Sequence, residues 1–248
     1  MEKVRFLNVT IDNLTMDEAV LAAGDLIKKG GPTFIVTPNV DHLVLLEQHK
    51  ELRDAYEQAD LVFSDGMPIV WFSKLFGTPI KEKISGSDFF PKLCEYAAGK
   101  GYKMFFLGAA PGVAEAAAQK LVESYRSLQI VECYSPSLDF ENKPEEMKYI
   151  DDRIAATKPD ILVVALGCPK QEILIAKNKS RWNVPLSIGV GASLDFVAGK
   201  VKRAPRWMSN HGLEWLYRMS QEPVRMFRRY VLRDWRFLKL LWKYRKTK

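Results

Sequence analysis

The first 200 residues alternate short, almost unbroken apolar runs with longer stretches of helical periodicity, and this alternation restricts the fold more than any other feature. IVT (35–37), MFFL (104–107), ILVVAL (161–166) and LSIGV (186–190) have the continuous apolar character of strands covered on both faces. Strands are expected at 4–11, 33–37, 61–63, 103–107, 129–133, 161–166 and 185–190. Helical patterns lie between them, at roughly 40–58, 66–76, 87–98, 111–126, 144–157 and 169–180. An earlier helix opens at Thr15 with Glu18 three residues on, a capping box, and stops at Gly30 and Gly31. The fold class expected is α/β: a parallel or mixed sheet between helical layers, binding ligands where loops leave the carboxyl ends of the strands.

Beyond Lys200 the strand signals stop. Residues 200–248 hold 15 Lys/Arg against 3 Asp/Glu, a balance of +12, while residues 1–199 balance at −5. The chain therefore divides into a mildly acidic α/β body (1–199) and a basic appendage (200–248) suited to a polyanion. Pro205 and Pro223 partition the appendage into two expected helices, about 206–221 and 224–245. In the second, Val224, Phe227, Val231, Trp235, Leu238 and Leu241/Trp242 form one apolar stripe beside Arg225, Arg228, Arg229, Arg233, Arg236 and Lys239. Four of the six tryptophans also fall here. A stripe of this kind either lies in a membrane interface or packs on the body.

No uncharged apolar stretch approaches the roughly 18–20 residues that cross a bilayer as a helix. The N-terminal MEKVRFLNVTIDN has no apolar core and is not read as a secretory leader. Cys94, Cys133 and Cys168 are odd in number and widely spaced, which argues against a disulfide framework or a zinc site and suits the cytosol.

Polar or glycine-rich loops follow several strands: TPNVDH (37–42), SDGMP (64–68), GAAPG (108–112), GCPKQE (167–172) and GASLD (191–195). Gly108, Ala110 and Gly112 suit a diphosphate cradle at a helix N-terminus, or simply a tight strand–helix turn. Asp65 is a candidate general base or a helix cap, and Asp88 reads by the same logic as a cap. The amides of Asn39 and Gln171 could hold sugar hydroxyls or tie down loops. His42, His49 and His211 are scattered, and no apolar strand runs into an Asp-x-Asp pair that would hold a divalent metal on a diphosphate. A metal site and a cofactor are not expected, and any diphosphate charge would fall to helix dipoles and Lys/Arg.

TPNVDH, SDGMP, SGSD (85–88), FFLGAAPG (105–112), ALGCPKQE (165–172), GVGASLDFVAGKVKRAPRWM (189–208) and HGLEWLYRMSQEP (211–223) together resemble the WecG/TagA/CpsF family of bacterial glycosyltransferases. Seven blocks in one order cover the chain from about residue 30 onward. The resemblance implies a Rossmann-like body and an appendage that reaches the membrane and completes the active site. It also implies inverting, metal-independent transfer. The TagA branch, of wall teichoic acid synthesis, is the most similar. It implies N-acetylmannosamine (ManNAc) transfer from UDP-ManNAc to the 4-hydroxyl of GlcNAc on undecaprenyl diphosphate, in a β-1,4 linkage. By resemblance Asp65 is the catalytic aspartate, and Thr37, Asn39 and Gln171 are pocket residues. Arg218, Arg225 and Arg228 are the appendage arginines, and Gly108, Ala110, Gly112, Gly191 and Ser193 line the nucleotide pocket. Lys83 stands where relatives often carry arginine, and its role stays open because lysine lacks the bidentate fork. A homodimer in solution and a peripheral position on the inner face of the cell membrane are expected.

Three other readings remain. The same fold could use another UDP-sugar, such as ManNAc-uronic acid or a hexose. The chain could be a non-catalytic, membrane-docked scaffold. Nucleic-acid binding by the basic tail is disfavoured, because the arginines share helices with an apolar stripe and no recognition motif is present.

Overall fold

In the computed structural model, which describes residues 1–221, 223–227 and 233–245, six strands form one parallel sheet. They are β3 (Thr33–Val36), β4 (Leu61–Val62), β5 (Lys103–Gly108), β6 (Gln129–Tyr134), β7 (Ile161–Ala165) and β8 (Leu186–Gly189). Their spatial order is β4-β3-β8-β7-β5-β6, and every neighbouring pair runs parallel. Successive side chains point to opposite faces. Ile35, Met104, Phe106, Val163 and Ile188 enter one core, and Phe34, Val36, Phe105, Leu107 and Val164 enter the other. The first core is closed by helices α1 (Met16–Lys29), α5 (Gly86–Lys100), α6 (Val113–Ser124) and α9 (Ser193–Ala198). The second lies under α2 (Val40–Gln48), α3 (Lys50–Glu57), α4 (Met67–Leu75), α7 (Pro144–Thr157) and α8 (Lys170–Trp182). This is the α/β, Rossmann-like architecture that the apolar runs and the resemblance imply.

Three local expectations are corrected. Residues 4–11 are not one strand but a hairpin, β1 (Lys3–Phe6) and β2 (Val9–Asp12), paired Phe6 to Val9. Leu7 takes a left-handed φ of 50° at the reversal. Distant contacts hold the turn: the Asn8 amide donates to the Leu43 carbonyl and to Glu47, both at 2.9 Å. The hairpin also protects a sheet edge, because the buried Asp12 carboxylate accepts the Val62 N–H of β4 at 2.9 Å. Next, the helix expected over 40–58 breaks at His49, which is extended (φ −110°, ψ 107°). The third correction concerns the appendage helices. The first divides into α10 (Arg206–Asn210) and α11 (Glu214–Gln221) around Gly212, whose φ of 68° and closeness to the Trp71 ring leave no room for a β-carbon. The second is seen as α12 (Pro223–Phe227) and α13 (Arg236–Tyr244).

α13 packs mainly through residues outside the expected stripe. Phe237 and Leu240 are buried, Phe237 edge-on to Phe72 of α4 at 5.6 Å. Trp235, Leu238 and Trp242 of the stripe are instead 46%, 64% and 57% exposed, as are Val224 and Phe227 on α12. Val231 lies outside the described residues. Leu241 of the stripe, by contrast, is partly buried against the second core, so the stripe is divided between the body and an exposed face. Among the described residues no helix is long and apolar enough to cross a membrane.

Candidate active site

The loops that leave β3, β4, β7 and β8 surround a cavity of about 780 Å³, which α11, α12 and Arg233 border from the appendage side. Parallel strands put all their carboxyl ends on one edge, so residues far apart in sequence converge there. Thr37, Asn39, Asp65, Gln171, Gly191, Ser193 and Arg218 all line this cavity.

Asp65 follows β4, and its backbone is fixed by an N–H to the Pro38 carbonyl at 2.8 Å, which couples it to the loop after β3. Gly66, not Asp65, is the N-cap of α4, at φ 116° and without a side-chain cap bond. Asp88 is not the cap of α5 either: Ser85 caps it, accepting the Asp88 N–H at 3.3 Å. The Asp88 carboxylate instead accepts from the Ser85 hydroxyl at 2.6 Å and pairs with Lys83 at 3.3 Å and with Arg203. Burial alone would raise its pKa, but the Ser85 and Arg203 hydrogen bonds and the two cations hold it below the ordinary value.

Asn39 caps α2, its Oδ1 accepting the His42 N–H at 3.2 Å. The Ser193 hydroxyl donates to the Val190 carbonyl at 2.7 Å, closing the turn into α9. Gln171 Oε1 accepts the N–H groups of Gly167 at 3.1 Å and Gly191 at 3.0 Å. These residues thus build the rim as well as facing the cavity. Gly108, Ala110 and Gly112 are not among the residues that line it. At Gly108 the close-packing reading has direct support, since at φ 110° a β-carbon would lie 2.5 Å from the Ala165 carbonyl oxygen.

Arg218 donates to Glu214 at 2.7 and 3.0 Å and stacks 5.0 Å over the Phe196 ring. Glu214 also accepts from Ser209 at 3.1 Å, and Ser209 accepts from Lys83 at 3.2 Å. Lys83 therefore joins the body to the appendage, which is the role its sequence position left open. Arg225 lies on α12 with its side chain outside what is described, and Arg228 lies outside the described residues.

Several lining residues escaped the sequence reading. Arg233 pairs with the buried Asp41 at 2.5 Å, bringing a second appendage cation to the cavity. Glu214, Asp195 and Phe196 also line it. Beneath the cavity His42 Nδ1 lies 2.7 Å from the Tyr56 hydroxyl. Burial, then the charges of Glu172, Cys168, Asp65 and Asp41, push that phenol well above its usual pKa, so it stays protonated. Donor atoms of His42, Cys168 and Glu172 lie within 4.8 Å of one another, a set that a zinc-class ion can use. Ligation would require the Glu172 carboxyl to ionise, which its burial opposes. The trio fits a hydrogen-bonded floor better than a metal centre.

The family described as "Glycosyl transferase WecG/TagA/CpsF family" matches residues 4–248. The chain is also 33% identical, over 192 residues, to an N-acetylglucosaminyldiphosphoundecaprenol N-acetyl-beta-D-mannosaminyltransferase of Bacillus spizizenii. That alignment spans 77% of this chain and 72% of the relative. With a match over nearly its whole length, the chain belongs to the WecG/TagA/CpsF family of glycosyltransferases.

Proposed function

We propose that the protein transfers ManNAc from UDP-ManNAc to the 4-hydroxyl of GlcNAc on undecaprenyl diphosphate, an early step of wall teichoic acid synthesis. The observation that carries this reading is the meeting, at one cavity, of a strand-end carboxylate (Asp65) and two appendage arginines, Arg218 and Arg233. Transfer of a sugar from a nucleotide donor needs these two elements: a base for the incoming alcohol and cations for the departing diphosphate. The name of the Bacillus spizizenii relative supplies the sugar and the acceptor.

In this scheme Asp65 takes the proton of the acceptor hydroxyl as its oxygen bonds to the anomeric carbon. The bond from that carbon to the UDP oxygen breaks on the opposite face, so a single displacement inverts the configuration. Arg218 and Arg233 exchange Glu214 and Asp41 for diphosphate oxygens, where charge-assisted hydrogen bonds are strong. Thr37, Asn39 and Gln171 orient the sugar, with Arg225 and Arg228 as further cations. Gly191 and Ser193 contact the nucleotide, with Gly108, Ala110 and Gly112 at the edge of its path. No metal is required, because cations and helix N-termini oppose the diphosphate charge.

The polyprenyl anchor keeps the acceptor in the bilayer, so the enzyme works at its surface. Exposed Trp207, Trp215, Phe227, Trp235, Leu238 and Trp242 give the appendage an apolar contact face among its basic residues. Each basic residue near an anionic surface adds about 1 kcal/mol of attraction. The reading also carries a peripheral position on the inner membrane face and a homodimer in solution.

A donor panel tests the assignment. UDP release is measured with a short-chain GlcNAc-diphosphate lipid and UDP-ManNAc, UDP-ManNAc-uronic acid or UDP-hexoses. UDP-ManNAc is expected to be turned over fastest. Preference for another donor would move the protein to a different polysaccharide, and no release with any donor would favour a scaffold.

A further inference from the structure

We propose that Glu172 is a positioning residue for this active site: its buried carboxyl fixes the orientation of the Gln171 amide, and through it the spacing of the two glycine loops that frame the cavity. The inference rests on the cavity being the site of transfer.

The loops after β7 and β8 are not bonded to each other by backbone at this point. Gln171 Oε1 joins them, accepting the N–H groups of Gly167 and Gly191 together. An amide can be turned over. In the reversed orientation its NH2 would face two N–H donors, and both hydrogen bonds would be lost. The orientation is therefore set from both ends, by the two glycine N–H groups at Oε1 and by Glu172 Oε1, which accepts from Nε2 at 2.7 Å. Glu172 is 1% exposed, so water does not compete for this bond. Burial raises its pKa, opposed by hydrogen bonds from Gln171, its own backbone and the Cys168 thiol, with Asp41 adding to the rise.

β8 is shaped to accept the arrangement. A β-carbon on Gly189 would lie 2.6 Å from Gln171 Nε2, so the amide lies flat across the strand where any larger residue would lift it. Glu172 itself does not line the cavity, whereas Gln171, Gly167 and Gly191 do. Its influence on bound donor is therefore indirect, through the loops.

The test uses the full-length protein and the variants Glu172→Gln and Glu172→Leu, with UDP affinity by calorimetry and amide exchange of Gly167 and Gly191 by NMR. Glu172→Gln keeps an acceptor oxygen at similar size, and its UDP affinity and exchange rates are expected within about 3-fold of the parent. Glu172→Leu leaves Nε2 without its acceptor. UDP affinity is expected to fall about 10-fold, the order of one or two lost hydrogen bonds, and both glycine amides to exchange faster. In a Gln171→Ala background Glu172→Leu should add nothing, whereas a purely structural role would persist there. Parent-like affinity and exchange in Glu172→Leu would overturn the proposal, as would additive losses in the double variant. Absence of UDP binding by the parent would sink the transfer reading instead, and the exchange rates would still decide the role of Glu172.

Discussion

Asp88 shows how one carboxylate can serve architecture inside a motif that invites a catalytic reading. Ser85, Lys83 and Arg203 surround it, and Arg203 belongs to the segment that leads into the appendage. Because its folded pKa lies below the ordinary aspartate value, the stability it contributes is complete above that value and disappears as pH falls through the folded pKa. Urea melts of the parent and Asp88→Asn should differ by a constant amount above about pH 5, and the gap should close as pH drops below the ordinary carboxyl value. A gap independent of pH would remove the ion pairs from the account. The apolar runs placed the loops that hold Asp65, Thr37 and Gln171 at the ligand-binding edge of a parallel sheet, and the family resemblance singled out these three within them. Arg233 was not legible. It is one of several arginines at helical spacing, and only the fold places it against Asp41, 192 residues away.

At the scale of elements, α13 carries two apolar faces with separate tasks. Phe237 and Leu240 dock it on the body, whereas Leu238 and Trp242 remain exposed. Phe237→Ala should lower stability by about 3–5 kcal/mol, the usual loss for a buried phenylalanine. Leu238→Ser with Trp242→Ser should leave the melting temperature within a few degrees and weaken binding to anionic vesicles. Equal vesicle binding after the second change would show that this face does not meet lipid. Strands β3, β5, β7 and β8 could be placed from their apolar runs alone, since burial on both faces leaves an unbroken signal, whereas the half-exposed edge strand β6 carries no such run. The β1–β2 turn could not, because Leu7 takes a left-handed φ that leucine rarely adopts and the reversal is held by distant bonds from Asn8 to Leu43 and Glu47. The breaks at His49 and Gly212 likewise depend on packing that helical periodicity does not record.

For the whole molecule, the proposed function has the acidic body supply a pocket edge and the basic appendage supply cations and a surface to rest on a membrane. Residues 193–198 belong to the body, since Leu194 and Ala198 are buried in its first core. Truncation after Lys200 keeps these residues but removes Phe237 and Leu240 from the second core, so it should leave a less stable body that neither binds vesicles well nor turns over lipid-linked acceptor. Full activity from that truncated form would contradict the assignment of Arg218 and Arg233 to the site. The central claim is that the Asp65 carboxylate removes the acceptor proton, and single-turnover kinetics of Asp65→Asn measure it most directly. UDP-ManNAc affinity should be unchanged while the transfer rate falls about 10²–10⁴-fold, the usual contribution of a positioned base. A folded Asp65→Asn enzyme that transfers sugar at the parent rate would contradict the mechanism.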